Sequence, residues 1–319
     1  MKERVLETFV PLYISNYCDS NCLICNMRKS NGDLVRIEAS DEEIFEQLKI
    51  IYEIEKISSV CFLCGEYYAK EDRVKHIKKI IKSITCAFEI GFKKVFFNIG
   101  ALFDDEIGMF YKEFVGSGKV VLSLFQETYD RDTYHSYFGR DIKSIPKAHF
   151  DLRYSTPARW LGAGFKSVDI GILLGLHNPY NDLDKLIEHA NMLSQKGEGE
   201  VYVSLPRIRG VKNVPYEIDD MKYSEIIKRV RIACPDSKLI ITTRETREFI
   251  DHVLDYIDVV SPGCSDVIPY TVEGELKNNI LTSQFVVSEK RERPSKFLDQ
   301  FKTTFAFYKD NIEGNSIDN

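Results

Sequence analysis

Cys18, Cys22 and Cys25 stand in a C-x3-C-x2-C pattern within the stretch 13–31. Three thiolates on one short loop can wrap one metal centre. Zinc usually takes four protein ligands, or three and a water, commonly from two separated pairs. Here no second pair with finger-like spacing follows, and no histidine is near. Thiolates also suit iron–sulfur clusters. A 4Fe–4S cube held by three cysteines leaves one iron open to a small chelating molecule. The plain alternative is three unrelated core cysteines, since free cysteine packs as a small hydrophobe. The loop follows a strand-like run and opens a repeating strand–helix pattern, which favours the cluster.

That pattern is what must position the loop. Strands are expected at Phe9–Ser15, Ser58–Cys64, Lys94–Asn98, Val120–Phe125, Ser167–Leu173, Glu200–Leu205, Leu239–Thr242 and Ile257–Val260. Helices are expected between them. One runs from the capping box at Ser40 to about Glu55. Others cover Glu71–Glu89, Asp104–Phe114, Asp182–Lys196, Lys222–Ala233 and a run to about Leu254. Thr156–Ala163 reads as helix with Pro157 in its first turn. Eight such alternations predict an α/β fold, a (β/α)8 TIM-type barrel. The strands end in polar residues: Gly65-Glu66, Gln126-Glu127-Thr128, Pro206-Arg207, Thr243-Arg244-Glu245 and Ser261. In such barrels that face carries the active site.

Composition narrows the class. The 319 residues are 44% hydrophobic and 29% charged, a normal globular balance. They are expected to form one domain, with a short C-terminal extension from about 285 that includes a helix-like run, Lys296–Phe301. A net charge of −6 points to neither nucleic acid nor an anionic membrane. No apolar run reaches membrane-spanning length, and the N-terminus lacks the apolar core of a signal peptide. Eight cysteines without a secretory signal argue for metal or redox use in a reducing cytoplasm.

Several segments together resemble the radical S-adenosylmethionine (SAM) aromatic amino-acid lyases. That family includes the tyrosine lyases of thiamine biosynthesis (2-iminoacetate synthase) and of hydrogenase maturation, and the tryptophan lyase of thiopeptide biosynthesis. The resemblance covers roughly residues 8–285 and begins with Phe9-Val-Pro-Leu-Tyr-Ile-Ser-Asn and the cysteine loop. Phe125-Gln-Glu-Thr-Tyr129 is its most specific segment. Arg153, Thr156-Pro157-Ala-Arg159, Gly171-Ile-Leu-Leu-Gly-Leu176, Pro206-Arg207-Ile-Arg209 and Thr243-Arg244-Glu245 follow in family order. The radical SAM type of barrel is what the resemblance implies. So are a 4Fe–4S cluster on Cys18, Cys22 and Cys25, SAM on its open iron, and an external electron donor such as flavodoxin or ferredoxin.

Residue roles follow in the same way. Gly65 lets the backbone approach SAM, and Glu66 can accept from its ammonium. Glu127 and Arg153 stand where related enzymes contact SAM's polar groups; the bland reading of Arg153 is a surface ion pair. Arg244 matches the arginine that holds the substrate carboxylate, and Ser261 a serine at the substrate backbone. A rim pair between Arg244 and Glu245 is the alternative. Arg207 is a further substrate-binding candidate: of Arg207 and Arg209, alternation lets one face the cavity and the other solvent. Cys61 and Cys64 read as packing, as does Trp160. Cys86, Cys234 and Cys264 have no partner pattern, and His135 and His177 read as surface or core.

The implied reaction is hydrogen abstraction from the substrate amino group by a 5′-deoxyadenosyl radical, then fragmentation at Cα. Tyrosine is favoured and tryptophan is the second choice. Two departures bear on substrate: Ile24 replaces the usual aromatic before the third cysteine, and Val267-Ile-Pro-Tyr270 replaces a Gly-Gly-Tyr element. No cysteine-rich tail is seen, so no second cluster is expected. The competing readings are a radical SAM mutase or methylase on another small molecule, and a non-catalytic zinc-binding barrel.

Overall fold

The computed structural model describes residues 5–195, 199–209, 214–242, 245–262 and 293–309. Among the described residues ten strands form one sheet: β1 (Val5–Thr8), β2 (Val10–Tyr13), β3 (Ser59–Leu63), β4 (Lys94–Asn98), β5 (Val120–Ser123), β6 (Ser167–Gly171), β7 (Glu200–Ser204), β8 (Lys238–Thr242), β9 (Val259–Ser261) and β10 (Thr304–Ala306). Every pairing is parallel, and from β2 to β9 neighbours follow chain order. β1 and β2 are halves of one extended run interrupted at Phe9. β1 lies against β9 and β2 against β3, so the sheet curls until its ends meet. All eight expected strands form, with ends moved by a few residues. β10, which pairs with the outer side of β1, was not foreseen.

Parallel strands covered on both faces are apolar throughout, and β5 (Val-Val-Leu-Ser) is buried at every position. Inward residues stack in layers. Phe9, Cys61, Phe96, Val121, Tyr202, Ile240 and Val259 form a floor, with Phe9 stacked on Phe96 at 4.5 Å between ring centroids. Side chains alternate along a strand, so two residues on come Leu63, Asn98, Ser123, Ser204, Thr242 and Ser261. These line a cavity at the carboxyl ends of the strands.

The helices pack outside: α1 (Asp41–Lys49), α2 (Lys70–Ile90), α3 (Asp104–Phe114), α4 (Arg131–Phe138), α5 (Phe150–Gly162), α6 (Pro179–Ser194), α7 (Asp220–Ala233), α8 (Arg247–Val253) and α9 (Pro294–Leu298). The capping box at Ser40 is present, with Ser40 Oγ accepting from Glu43 N and a Glu43 carboxylate oxygen from Ser40 N. α5 departs from expectation. It begins at Phe150, and Pro157 lies inside it rather than in its first turn. Phe150, Arg153, Pro157 and Trp160 recur at three- and four-residue spacing and are all buried, and that stripe holds the helix together across the proline. α4, capped by Asp130, was also not foreseen. Among the described residues no helix is long and apolar enough to cross a membrane.

Candidate active site

The cysteine loop leaves β2 and is held by backbone and side-chain hydrogen bonds. The Arg36 guanidinium reaches three loop carbonyls: Nη1 donates to Asn16 O and Met27 O at 2.7 and 2.8 Å, and Nη2 to Arg28 O at 2.7 Å. Asn16 Oδ1 accepts from Ile37 N at 2.7 Å. Sequence reasoning missed Arg36, because nothing distinguishes it from a surface arginine before folding. Cys18 Sγ accepts from Ser20 N and Glu66 N, both at 3.4 Å. Gly65 lies so close to this loop that an added Cβ would sit 2.1 Å from Tyr17 O and 2.6 Å from Cys18 Cβ. That proximity explains why a glycine follows the end of β3 at position 65.

The structure brings Cys18, Cys22, Cys25, Gly65, Glu66, Glu127, Arg153 and Ser261 to one cavity. Four of its charges interlock and are buried. Arg153 Nη1 meets Glu66 Oε1 at 2.9 Å, and Arg153 Nε donates to Phe125 O at 2.6 Å. Lys147 Nζ meets Glu127 Oε1 at 2.6 Å, and Arg153 Nη2 lies 3.8 Å from the same oxygen. Arg153 thus forms its ion pairs in the cavity wall, not on the surface. Burial alone would raise the Glu66 carboxyl, yet Arg153 and Lys147 beside it hold it below its ordinary value. Glu127 has a positive φ of 70°, uncommon for a side-chain-bearing residue, and its carbonyl accepts from Leu173 N at 2.8 Å. The Phe125-to-Tyr129 and Gly171-to-Leu176 segments are therefore neighbours.

Lys147 was not anticipated. It lies in a short 310 turn, Pro146–Ala148, with no motif around it. Its backbone N donates to Ser20 Oγ at 3.1 Å and its carbonyl accepts from Tyr134 of α4 at 2.6 Å, which aims the side chain inward. Gly100 is a second missed position: an added Cβ would meet the Glu66 carboxyl carbon at 2.4 Å.

Other expected residues fall elsewhere. Arg244 and the 267–270 element lie outside the described residues, as does Cys264. Arg207 is not brought to the cavity. Its Nη1 donates to Ile218 O at 2.8 Å, its other nitrogens bind Glu245 and Asp220, and its guanidinium lies 4.7 and 5.1 Å from the Tyr223 and Phe249 rings. Arg209 also pairs with Glu245, at 3.0 Å. Cys61 packs in the barrel floor, as expected. Cys64 does not merely pack: it lines the cavity, with Sγ 2.9 Å from His76 Nε2. It stands beyond the end of β3, so strand alternation no longer governs it. Trp160 is buried in packing, its indole N–H donating to Ser167 O at 3.0 Å. Ile24 lines the cavity.

The donor set can be tested against a metal group. Among the described residues no three His, Cys, Asp or Glu side chains are placed to hold a single ion. The three cysteines nevertheless share one cavity. A cluster binds each cysteine through a different iron, so it fits thiols set wider than one ion's shell. Burial pushes all three thiols up, Cys25 to about 12, while the two backbone N–H groups at Cys18 oppose this. A bound metal centre lowers a thiol's pKa and so opposes this rise.

No protein-family model matches the chain. Among curated proteins it is 27% identical over 259 residues to 2-iminoacetate synthase of Escherichia coli (strain K12), covering 79% of this chain and 64% of that protein. It is 26% identical over 264 residues to the protein of the same name from Salmonella typhimurium, with the same coverage. The chain thus spans less than two thirds of the length of these curated relatives. The X-ray structure of the FeFe-hydrogenase maturase HydG from Carboxydothermus hydrogenoformans superposes with a TM-score of 0.78 at 27% identity, over 95% of this chain and 68% of that one. Methylornithine synthase (PylB), 21% identical over 95% of this chain and 84% of that one, shares the fold with a TM-score of 0.67. The fold is the (β/α)8 barrel of the radical SAM type. Within it, the chain resembles the aromatic amino-acid lyase family in both sequence and structure.

Proposed function

We propose that the chain is a radical SAM carbon–carbon lyase that fragments an aromatic amino acid at Cα, tyrosine before tryptophan. The observation that carries this reading is the convergence of Cys18, Cys22 and Cys25 with the Glu66–Arg153 and Glu127–Lys147 pairs on one buried cavity at the strand ends. The likeness to 2-iminoacetate synthase and to the hydrogenase maturase supports it.

The three cysteines would hold the 4Fe–4S cluster, and Gly65, Glu66, Glu127 and Arg153 would line the place of SAM. When bound, these groups supply one electron, delivered by a donor such as flavodoxin or ferredoxin, and a 5′-deoxyadenosyl radical that abstracts hydrogen from the substrate amino group. The chain's own residues do the positioning. The Ser20 and Glu66 N–H groups stabilise negative charge on Cys18 sulfur. Ionised Glu66 would accept from the SAM ammonium, and the Arg153 fork would keep donor capacity for its carboxylate. Lys147 offsets Glu127, so that the pair enters the wall without net charge. Phe125, Phe138 and Leu173 keep water from the reacting atoms. Arg244 and Ser261 are the proposed holders of the substrate backbone. Arg207, whose donors are taken by Glu245, Asp220 and Ile218 O, braces the rim instead.

Anaerobic purification should give a brown protein with about four irons, as three-cysteine ligation of a cube requires. The triple replacement of Cys18, Cys22 and Cys25 by Ala should remove them; retained iron sinks the cluster assignment. With SAM and reductant, tyrosine should stimulate 5′-deoxyadenosine release and yield p-cresol and dehydroglycine. If neither tyrosine nor tryptophan stimulates release, the lyase reading fails.

A further inference from the structure

One carboxylate in the cavity has no part in the cofactor reading. Asp169, on β6, is 1% exposed. Its Oδ2 accepts from Ser123 Oγ at 2.6 Å and its Oδ1 from Ser204 Oγ at 2.9 Å. Those serines flank it on β5 and β7, and all three residues line the cavity just above the apolar floor. A carboxylate oxygen has about two acceptor sites, so each keeps capacity for a further donor. Among the described residues the other two cavity carboxylates are matched by cations, Glu66 by Arg153 and Glu127 by Lys147. No cation among the described residues acts on Asp169, and burial pushes its carboxyl up to about 7 against the pull of the two serines. A buried carboxylate in this state is stabilised by a proton or by a ligand that brings positive charge.

We propose that Asp169 is the amine site of the substrate: it takes the protonated amino group, with Ser123 and Ser204 fixing the carboxylate's aim. This rests on the lyase reading for the identity of the ligand as an amino acid. Ser261 lines the same cavity from β9, next to the end of β8 where the substrate carboxylate is expected. An amine at β6 would then set the N–H group that loses hydrogen at a fixed point inside the barrel, away from the rim. A charge-assisted hydrogen bond of this kind discriminates strongly between a ligand that has the donor and one that lacks it.

The test is calorimetry on the protein reconstituted with iron, sulfide and SAM. Tyrosine, tryptophan and leucine are each compared with the analogue lacking only the amino group. The wild type should prefer the amine-bearing partner by about tenfold or more, the range for a charge-assisted bond. Asp169→Asn should bring the two within about twofold, with SAM affinity unchanged as proof of an intact fold. Absence of a preference in the wild type overturns the proposal without recourse to any variant. A preference that survives in Asp169→Asn also overturns it, as does a variant that loses SAM affinity alone. An Asp169-dependent preference for leucine but not for the aromatic pair supports the amine site and removes the lyase reading. Aromatic amino acids that bind through Asp169 but are never cleaved do the same.

Discussion

Arg153 shows how much one side chain carries. It pairs with Glu66, binds Phe125 O and approaches Glu127, all out of water. Arg153→Ala would leave Glu66 buried and uncompensated. We expect a loss of about 3–5 kcal/mol in folding stability, the range for breaking a buried pair from one side, together with weaker SAM binding. Urea unfolding and calorimetry read the two effects; unchanged stability would mean that water already screens Glu66. Asp169 carries a pH signature. Its value rises from 3.8 to about 7, so between those pH values the folded state binds more protons than the unfolded. The stability it contributes is therefore present below about pH 4 and lost as pH rises through about 7. Asp169→Asn should gain on the wild type by up to about 4 kcal/mol across that window, at roughly 1.4 kcal/mol per unit. Unfolding of the ligand-free proteins at the two ends of the window checks this, and parallel curves would refute it.

At the scale of elements, the site depends on how closely the end of β3 meets the cysteine loop. Asp19 N donates to Glu66 O at 2.8 Å, and Glu66 N reaches Cys18 Sγ. Gly65 sits between these contacts. Gly65→Ala forces a methyl against backbone atoms that cannot rotate away. Overpacking of this kind costs about 1–3 kcal/mol, and here the loop must move to relieve it. The expected result is a protein with lowered iron content after reconstitution. Full iron content would show that the loop yields without losing its geometry.

For the whole molecule, closure of the barrel is reinforced from the far end of the chain. β10 pairs with β1, and the segment before it reaches a carboxylate at the end of the α1 region. Glu55 is fully buried; it accepts from Arg293 Nε at 2.8 Å, Ser295 N at 2.9 Å and Ser295 Oγ at 2.6 Å. Replacing Arg293 and Ser295 together by Ala removes both side-chain donors from that charge. A loss of about 3–5 kcal/mol in stability is expected, with iron content unchanged because the cysteine loop lies at the other end of the strands. Thermal unfolding and iron analysis separate the two; a stable double variant would mean that Glu55 is held by backbone alone.

The sequence by itself determined the alternation of strands and helices, the cysteine loop and the strand-end positions of Glu66, Glu127 and Ser261. These are legible because local hydrophobic period and ligand spacing are properties of neighbouring residues. Only the tertiary structure decided which charges meet. Glu66 and Arg153 are 87 residues apart, and their pairing follows from barrel closure. Lys147 and Arg36 carry no motif and become part of the site through a turn and a loop that fold against Ser20 and Asn16. Arg207 and Arg209 are alike in sequence, yet Glu245 and two aromatic rings draw Arg207 into packing at the rim. Asp169 lies within the strand expected over Ser167–Leu173 and carries no motif. Its isolation from any cation, among the described residues, appears only when β5 and β7 bring serines and no lysine to its side, because the burial of a charge is decided by what surrounds it in space.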